Sequence, residues 1–480
     1  MMDPFLLPLD REELLKRLSA RGAPHGGMMP GTMKPPSAPP DPQAVWRSLR
    51  PTGGSPGTAA GNIPLVIYVH IPFCISRCSF CGFYRNRTDD AAIEEYVKRL
   101  LVEIDRVADE GAFTKKPVEV VYFGGGTPTA LTADQLRRTV GQLHARFNIA
   151  PDCEFTIEGR LFAFDDERVR ACLESGVNRF SFGVQSFETE LRRSLGRRLS
   201  REDTLARLAR IKEICGDRIA LVADLIYGLP GQTQEDWMER NVKTVHLESA
   251  LDGVDLYSLK VFPGSPIAKR VEQEGNWSEE DRLARHAEAS DYLAAQGWKQ
   301  LSTTHWGRNA LERNLYNTYA KIGVDMVPFG CGAGGFIGDW SIMQEGDLAK
   351  YIELVDAGLK PIGMVMQSPP ARRDSIRFTR MTDLGYFDPT EIPETDFSPI
   401  IDNWTQAGVW TPMVGARVPL ARGRAGRASL PFYRLTRLGE FYQAKLNSLL
   451  TGFHMAAHAS ALDKIKMATA GIAGKLKGQS

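Results

Sequence analysis

Three closely spaced cysteines are the residues of this chain whose type and spacing most directly indicate chemistry. Cys74, Cys78 and Cys81 form a C-x3-C-x2-C pattern in the run CISRCSFC, directly after the apolar stretch PLVIYVHIPF. Three thiolates on one short loop can hold three irons of a [4Fe–4S] cube, because soft sulfur ligands suit iron–sulfur clusters. The fourth iron would stay open, as reductive cleavage of S-adenosylmethionine (SAM) requires.

A structural zinc site is the alternative interpretation of these cysteines. Zinc takes four ligands, commonly from C-x2-C pairs with later cysteines or histidines. The next cysteine downstream is Cys153, and the nearby His70 lies inside the apolar run. Because the loop itself offers three ligands, the spacing favours the cluster.

The composition is that of a soluble protein with ordinary charge balance. The 480 residues are 43% hydrophobic and 24% charged, which suits a large domain with appendages or two to three domains. The formal net charge of +1 gives no overall field that would favour nucleic acid or an anionic membrane. We expect a cytoplasmic monomer, since the thiols must stay reduced and neither a signal peptide nor a transmembrane segment is recognised.

Alternating strand and helix signals indicate the elements that position the cysteine loop. The pattern predicts strands at residues 64–70, 118–123, 153–158, 179–184, 219–226 and 253–261, with helices between them. Six consecutive βα units predict an α/β fold with a parallel sheet, a partial (β/α)6 barrel of TIM-like type. Sites in such folds lie at the C-terminal ends of the strands, where the cysteine loop follows the first strand.

The rest of the chain predicts appendages to this barrel. The predicted divisions are a proline-rich arm with a short helix (1–61), the barrel (62–264), a glycine-rich barrel extension (265–370), a small mixed α/β domain like a winged helix (371–455), and an amphipathic helix (456–480).

Glycines and polar residues follow successive predicted strands on the same face. They are Tyr68, the run Gly124, Gly125 and Gly126, then Glu158, Gln185 with the downstream Arg197, and Asp224. Glycines let a backbone approach a ligand closely, and a charge inside an apolar strand needs a partner or a ligand. A tight turn, a salt bridge or a solvated helix face would explain each one singly. Their shared placement favours a cofactor site.

With these motifs in view, the chain resembles the radical SAM proteins of the coproporphyrinogen-dehydrogenase type. The resemblance rests on YVHIPFC, the three cysteines, FGGGTPT, FGVQSF and DLIYGLPGQT, and covers roughly residues 62–340. It implies a partial (β/α)6 barrel in which Cys74, Cys78 and Cys81 ligate a [4Fe–4S] cluster.

The resemblance also implies which residues bind SAM.

 The expected SAM contacts are Tyr68, Phe80, Gly124, Gly125, Gly126, Thr127, Glu158, Gln185, Arg197 and Asp224. A second SAM molecule is expected near Gly126 and the later glycine run, at Gly330, Gly332 and Ala333.

Three groups within this family compete: decarboxylases of coproporphyrinogen III, haem chaperones, and methyltransferases that open haem anaerobically to anaerobilin. The stretches PLDREELLKRLSARGAPHGGMMPG, LSTTHWGRNALERNLYN and FGCGAGGFIGDW are most similar to the third group. The chaperones carry a His-Asn pair where this chain has Arg313-Asn314, which weakens that alternative. The decarboxylases can also carry Arg-Asn, so that alternative stays open.

The resemblance therefore implies a class C radical SAM methyltransferase that converts haem to a methylated linear tetrapyrrole and releases iron. His305, Trp306 and Arg313 are the predicted substrate contacts, because histidine can ligate haem iron and an aromatic ring can stack on the macrocycle. Simple packing is the alternative for His305 and Trp306. The expected partners are haem, a flavodoxin-like electron donor, and a haem-uptake or anaerobilin-reducing protein.

Overall fold

The computed structural model describes residues 40–51, 64–82, 86–368, 371–413 and 432–457, together with Lys16 and Leu18. The chain divides into a larger unit, residues 35–368, and a smaller unit made of residues 1–34 and 369–480. The predicted barrel and its extension thus share one unit. Most of the predicted arm, and the tail helix beyond residue 457, lie outside the described residues.

One large sheet organises the larger unit. The strands of this unit are β1 (Leu65–Ile71), β2 (Phe73–Cys74), β3 (Asn86–Arg87), β4 (Val118–Gly125), β5 (Ile149–Gly159), β6 (Arg179–Gln185), β7 (Ala220–Tyr227), β8 (Gly253–Ser258), β9 (Lys299–Gln300), β10 (His305–Gly307), β11 (Met326–Phe329), β12 (Gly334–Ile337), β13 (Trp340–Gln344) and β14 (Ile362–Gln367). Twelve of them lie in one sheet in the order β14-β13-β12-β11-β1-β4-β5-β6-β7-β8-β10-β9, and β2 pairs separately with β3.

The central part of this sheet is parallel and confirms the six predicted strands. Strands β1, β4, β5, β6, β7 and β8 pair side by side in parallel. A seventh parallel strand, β11, pairs with β1 on the other side. The sheet ends at β14 and β9, which do not pair with each other, so the barrel is partial.

Helices cover the outside of the barrel, as crossovers between parallel strands require. Their N-terminal caps are local in sequence: Asp89, Thr132, Asp165 and Ser200 each accept a backbone N–H of the helix that follows. The helices of the larger unit are Pro42–Ser48, Asp90–Asp109, Ala133–Arg146, Asp166–Glu174, Thr189–Ser194, Arg201–Cys215, Gln234–Trp237, Lys243–Leu247, Pro266–Glu274, Glu279–Ala295, Leu315–Lys321 and Leu348–Asp356, with a π turn at Met238–Val242.

The smaller unit combines a three-stranded antiparallel sheet with helices. Strands β15 (Tyr386–Phe387), β16 (Trp410–Met413) and β17 (Phe432–Leu435) lie in the order β15-β17-β16. The helices are Ala371–Asp383, Ser398–Gln406, Arg437–Phe441 and a helical stretch over 443–457. The fully buried Leu18 packs into this core, which joins the N-terminal segment to the unit. The winged-helix likeness stays a prediction.

Candidate functional site

The cysteine loop begins where β1 ends, at the C-terminal end of the parallel strands. Cys74 and Cys78 are buried, Cys81 is half-buried, and no disulfide joins any of the seven cysteines, all of which the structure describes. Across the described residues, no three His, Cys, Asp or Glu side chains are grouped closely enough to hold a single metal ion. The loop therefore offers three thiols that are not committed to a disulfide.

The glycine run after β4 packs directly against this loop. Thr127 Oγ1 donates a hydrogen bond to Cys74 Sγ at 3.5 Å, and Gly126 N–H donates to the Ile71 carbonyl at 2.8 Å. A Cβ on Gly126 would lie 2.6 Å from the Phe73 carbonyl oxygen, closer than real Cβ atoms come. Gly126 is therefore required by the close approach of two backbones, and it helps to fix the cysteine loop.

Arg160 is a contact of the loop that sequence reasoning missed. It follows β5, and its guanidinium donates hydrogen bonds to Ser76 Oγ at 3.0 Å, the Ser76 carbonyl at 2.8 Å and Cys78 Sγ at 2.9 Å. Burial raises the pKa of the Cys74 thiol, while the Thr127 hydroxyl and the charge of Arg160 lower that pKa. A positive charge beside the thiols suits ligands that bind iron as thiolates.

Tyr68, Tyr122 and Glu158 form a half-buried cradle beside the glycine run. The Tyr122 hydroxyl donates to Glu158 Oε2 at 3.2 Å, and the rings of Tyr68 and Tyr122 stack with centroids 6.2 Å apart. A Cβ on Gly124 would lie 3.1 Å from both Glu158 Oε2 and Tyr68 Cε2. Burial raises the pKa of Glu158, opposed by Tyr122, Arg197 and Arg179. Such a carboxylate can accept ribose hydroxyls or an ammonium group.

Arg197 supplies the cation of this region and lies close to the cysteines. Its buried Nε–H has no hydrogen-bond partner within the described residues, and its guanidinium carbon lies 5.8 Å from the Phe80 ring centroid. Burial lowers the pKa of Arg197, opposed mainly by Cys78. A buried donor left unpaired is costly, so this guanidinium fits a ligand that carries an anionic group.

Gln185 and Asp224 are the remaining cofactor candidates, and they lie on the neighbouring strands β6 and β7. Gln185 ends β6 in the left-handed region, with φ of +70°, and is buried. Asp224 pairs in register with Gly183 on β6 and Asp255 on β8. Burial raises the pKa of Asp224 well above its usual range, and the carboxylates of Asp255 and Glu158 raise it further. The structure thus brings Asp224 near Glu158, as expected for one shared site.

The two glycine runs meet around His70, which sequence reasoning considered only as a zinc ligand. A Cβ on Gly125 would lie 2.6 Å from His70 Nε2, and a Cβ on Gly330 would lie 2.5 Å from the His70 carbonyl oxygen. His70 Nδ1 lies 3.1 Å from the Tyr68 hydroxyl. Its place inside YVHIPFC, two residues after Tyr68, was the signal that could have identified it.

A buried ion pair fixes the second glycine run. Glu103 accepts the Gly330 N–H at 3.0 Å, pairs with Lys360, and accepts the Tyr351 hydroxyl at 2.6 Å. Gly332 N–H donates to the Glu345 carbonyl at 2.8 Å, and the fully buried Ala333 follows. The run is therefore held rigidly beside His70.

Each of the three predicted substrate contacts has partners in the protein, and His305 adjoins the cofactor candidate Asp224 through Asp255. His305 is fully buried, with Nδ1 2.7 Å from Asp255 Oδ2 and Nε2 3.1 Å from Glu312 Oε1. Burial lowers the pKa of His305, but the two carboxylates outweigh burial and raise it to about 10. With both ring nitrogens bonded to carboxylates, His305 offers no free nitrogen to haem iron.

Trp306 and Arg313 likewise have structural surroundings. Trp306 is buried in β10, where it pairs with Val254 of β8. Arg313 donates to the Asp152 carbonyl at 2.9 Å. Asp152 precedes Glu158 by six residues of β5, which places it about 20 Å from the cradle at the usual rise per strand residue. The structure does not bring Arg313 to the cysteine loop.

Comparison with known proteins agrees with this geometry. The family model of the radical SAM superfamily matches residues 68–240. The chain is 36% identical over 406 residues to anaerobilin synthase of Escherichia coli O157:H7, covering 84% of this chain and 87% of that protein. It is 30% identical to the haem chaperone HemW of Bacillus subtilis strain 168, covering 60% of this chain and 75% of that protein.

A solved structure has the same fold. The coproporphyrinogen III oxidase HemN of Escherichia coli, a radical SAM enzyme, superposes with a TM-score of 0.66 at 23% sequence identity. The match covers 82% of this chain and 90% of that one. At this identity the similarity establishes the fold.

Proposed function

Because the chain belongs to the radical SAM superfamily, in the same family as anaerobilin synthase, we propose that it is a methyltransferase that opens the haem macrocycle without oxygen. Its products would be a methylated linear tetrapyrrole, anaerobilin, and free iron. The observation that carries this proposal is the similarity to anaerobilin synthase, which extends over most of both chains. The similarity to the haem chaperone covers a smaller part of this chain.

The cysteine loop would hold the cofactor that starts the reaction. Cys74, Cys78 and Cys81 form no disulfide, and each would bind one iron of a [4Fe–4S] cluster. When reduced, the cluster would cleave SAM and supply the organic radical that protein side chains cannot. The loop's anchors, Thr127 and Arg160, would keep the three sulfurs in place during electron uptake.

The cradle beside the loop would bind the first SAM. Arg197, whose buried Nε–H lacks a partner within the described part of the chain, would donate to the SAM carboxylate. Glu158 would accept hydroxyl or ammonium groups, and the lack of a side chain at Gly124 lets Glu158 and Tyr68 lie close to the backbone of the glycine run. Fixed donors and acceptors of this kind orient a cofactor for a single bond cleavage.

A second SAM would lie where the glycine runs meet. Gly125 and Gly330 both approach His70 more closely than a side chain would permit. The buried Glu103 accepts the Gly330 N–H, so this run would form a fixed wall beside the second SAM. We include Gly126, Gly332 and Ala333 in this proposed site.

We do not assign haem contacts to His305, Trp306 or Arg313, because their observed partners are carboxylates, strands and a backbone carbonyl. Haem is the proposed substrate, and a flavodoxin-like protein is the proposed electron donor. We further propose a cytoplasmic monomer that works with a haem-uptake or anaerobilin-reducing protein. No helix among the described residues combines the length and apolar character needed to cross a bilayer.

An anaerobic turnover tests this function. The reconstituted protein would be mixed with SAM, a low-potential reductant and haem, and the Soret band and product masses would be followed. We expect Soret loss together with 5′-deoxyadenosine, S-adenosylhomocysteine and a methylated open tetrapyrrole. Tight haem binding with an unchanged Soret band would overturn the proposal in favour of a chaperone. Conversion of coproporphyrinogen III to vinyl products would instead indicate the decarboxylase.

A further inference from the structure

Arg160 joins two parts of the cysteine loop through one guanidinium. One nitrogen donates to Ser76 Oγ, and the other donates both to the Ser76 carbonyl and to Cys78 Sγ. Ser76 lies in the three-residue spacer between Cys74 and Cys78. The planar fork of arginine can hold the Ser76 hydroxyl with one nitrogen and the Ser76 carbonyl and Cys78 sulfur with the other, which the single ammonium of lysine does less well.

The charge of Arg160 is directed at the thiols. Its bonds within the described residues go to the loop and to the hydroxyl of Thr129 through the backbone, and no carboxylate there forms an ion pair with it. The guanidinium therefore places its positive charge against the loop, with Nη2 2.9 Å from Cys78 Sγ.

We propose that Arg160 is a positioning residue that raises the reduction potential of the cluster on the cysteine loop. The inference rests on the cluster of the proposed function, but not on the identity of the substrate. Reduction adds one electron from a low-potential donor, and no bond to the protein forms or breaks. A cationic N–H directed at the Cys78 sulfur stabilises the more negative reduced state, because hydrogen bonds to ligand sulfurs tune cluster potentials.

The test is a redox titration of the reconstituted full chain, followed by the electron paramagnetic resonance signal of the reduced cluster, without SAM. We expect R160Q to have a lower midpoint potential than the wild type at equal iron and sulfide content. R160K keeps the charge but loses the fork, so its potential should fall less. The matched control is R198Q, which removes an exposed arginine that lies over Phe162, 4.7 Å from the ring centroid. Its potential should stay near that of the wild type.

Two results would overturn the inference. One is an R160Q potential equal to the wild-type value at full iron content, and the other is an R198Q shift as large as that of R160Q. If R160Q assembles an incomplete cluster, R160K becomes the test variant. An R160K potential that is not below the wild-type value would then show that Arg160 does not raise the reduction potential. Failure of the proposed function would be visible separately, as a cluster with a normal potential that leaves haem intact.

Discussion

The two ends of the barrel both contain charged side chains, but they differ in how those charges are partnered. At the N-terminal end, Arg179 bonds to Glu312 at 2.9 Å, and Glu312 also contacts His305, with these side chains 0–4% exposed. At the C-terminal end, the Nε–H of Arg197 has no hydrogen-bond partner among the described residues. Glu158 there accepts a hydrogen bond from the Tyr122 hydroxyl. In the first arrangement Arg179, Glu312 and His305 pair with one another, whereas in the second Arg197 keeps a buried donor that has no partner among the described residues.

The segment after Glu312 supplies further hydrogen bonds to the carboxylates at the N-terminal end of the barrel. Asn314 adopts a left-handed conformation, with φ of +54°, and its N–H donates back to Glu312 at 2.8 Å. The N–H groups of Leu315 and Tyr316 donate to Glu154 at 2.9 and 3.0 Å. The Tyr316 ring then stacks on Tyr122 with centroids 3.9 Å apart. A charged residue therefore indicates a ligand site only when its own fold leaves it unsatisfied.

The largest expected effect at the C-terminal end comes from C78A. Loss of one thiolate removes one iron ligand, so the brown colour and the cleavage of SAM should disappear together. Iron content, visible absorbance and 5′-deoxyadenosine formation measure this directly. The control is C153A, a buried cysteine of β5 outside the loop, which should keep all three. Full iron content in C78A would show that the ligand assignment is wrong.

A smaller loss is expected from R197Q. Removing one charge-assisted hydrogen bond costs about 1.5–3 kcal/mol, so the affinity for SAM should fall by roughly ten- to a hundredfold while the cluster is retained. SAM titration of the reduced cluster and initial rates of cleavage check this. R193Q, which removes an exposed arginine paired with Glu190, is the control and should bind SAM normally. Unchanged affinity in R197Q would remove Arg197 from the site.

At the N-terminal end, E312Q should affect stability and not cluster chemistry. It leaves the buried Arg179 without its bonded carboxylate and His305 with Asp255 alone, which costs about 3–5 kcal/mol in the free energy of unfolding. Urea unfolding of the apoprotein measures the change. E174Q, in the exposed pair with Arg137, should change stability by less than about 1 kcal/mol. Loss of SAM binding by folded E312Q would contradict the division between the two ends.

His305 should make the stability of the protein depend on pH. Its pKa is raised from an ordinary value of 6.5 to about 10 in the folded state. Because the pKa is higher in the folded state, protonated His305 contributes its full stabilisation of the folded protein below about pH 6.5, and this stabilisation is lost as the pH rises toward 10. Unfolding free energies measured across this range should fall with pH in the wild type and fall less in H305Q. Equal slopes would show that His305 is neutral in the folded protein.

The parallel strands and the cysteine loop were predictable because their signals are local. Apolar runs such as ALVADLIY at β7 and the C-x3-C-x2-C spacing need no knowledge of distant residues. Strand β11 was missed because MVPF is a run of only four residues that is followed directly by the glycine run. The regular alternation of strand and helix signals ends before it. Its position is decided by parallel pairing with β1, far away in the sequence.

The partners of individual charges could not be predicted in the same way. His305 was interpreted as a haem contact, but Asp255 lies 50 positions earlier and is brought beside it by antiparallel pairing of β10 with β8. Arg160 was overlooked because its contact with Cys78 spans 82 positions. In both cases the chemistry of the side chain depends on strand order, which periodicity does not encode.

The most direct test of the proposed function is to follow the methyl carbon of SAM. Haem would be incubated anaerobically with the reduced protein and SAM that carries carbon-13 in its methyl group. The account predicts an open tetrapyrrole that contains the labelled carbon, with S-adenosylhomocysteine formed alongside it. Intact haem, or a tetrapyrrole product without the label in the presence of active SAM cleavage, would contradict it.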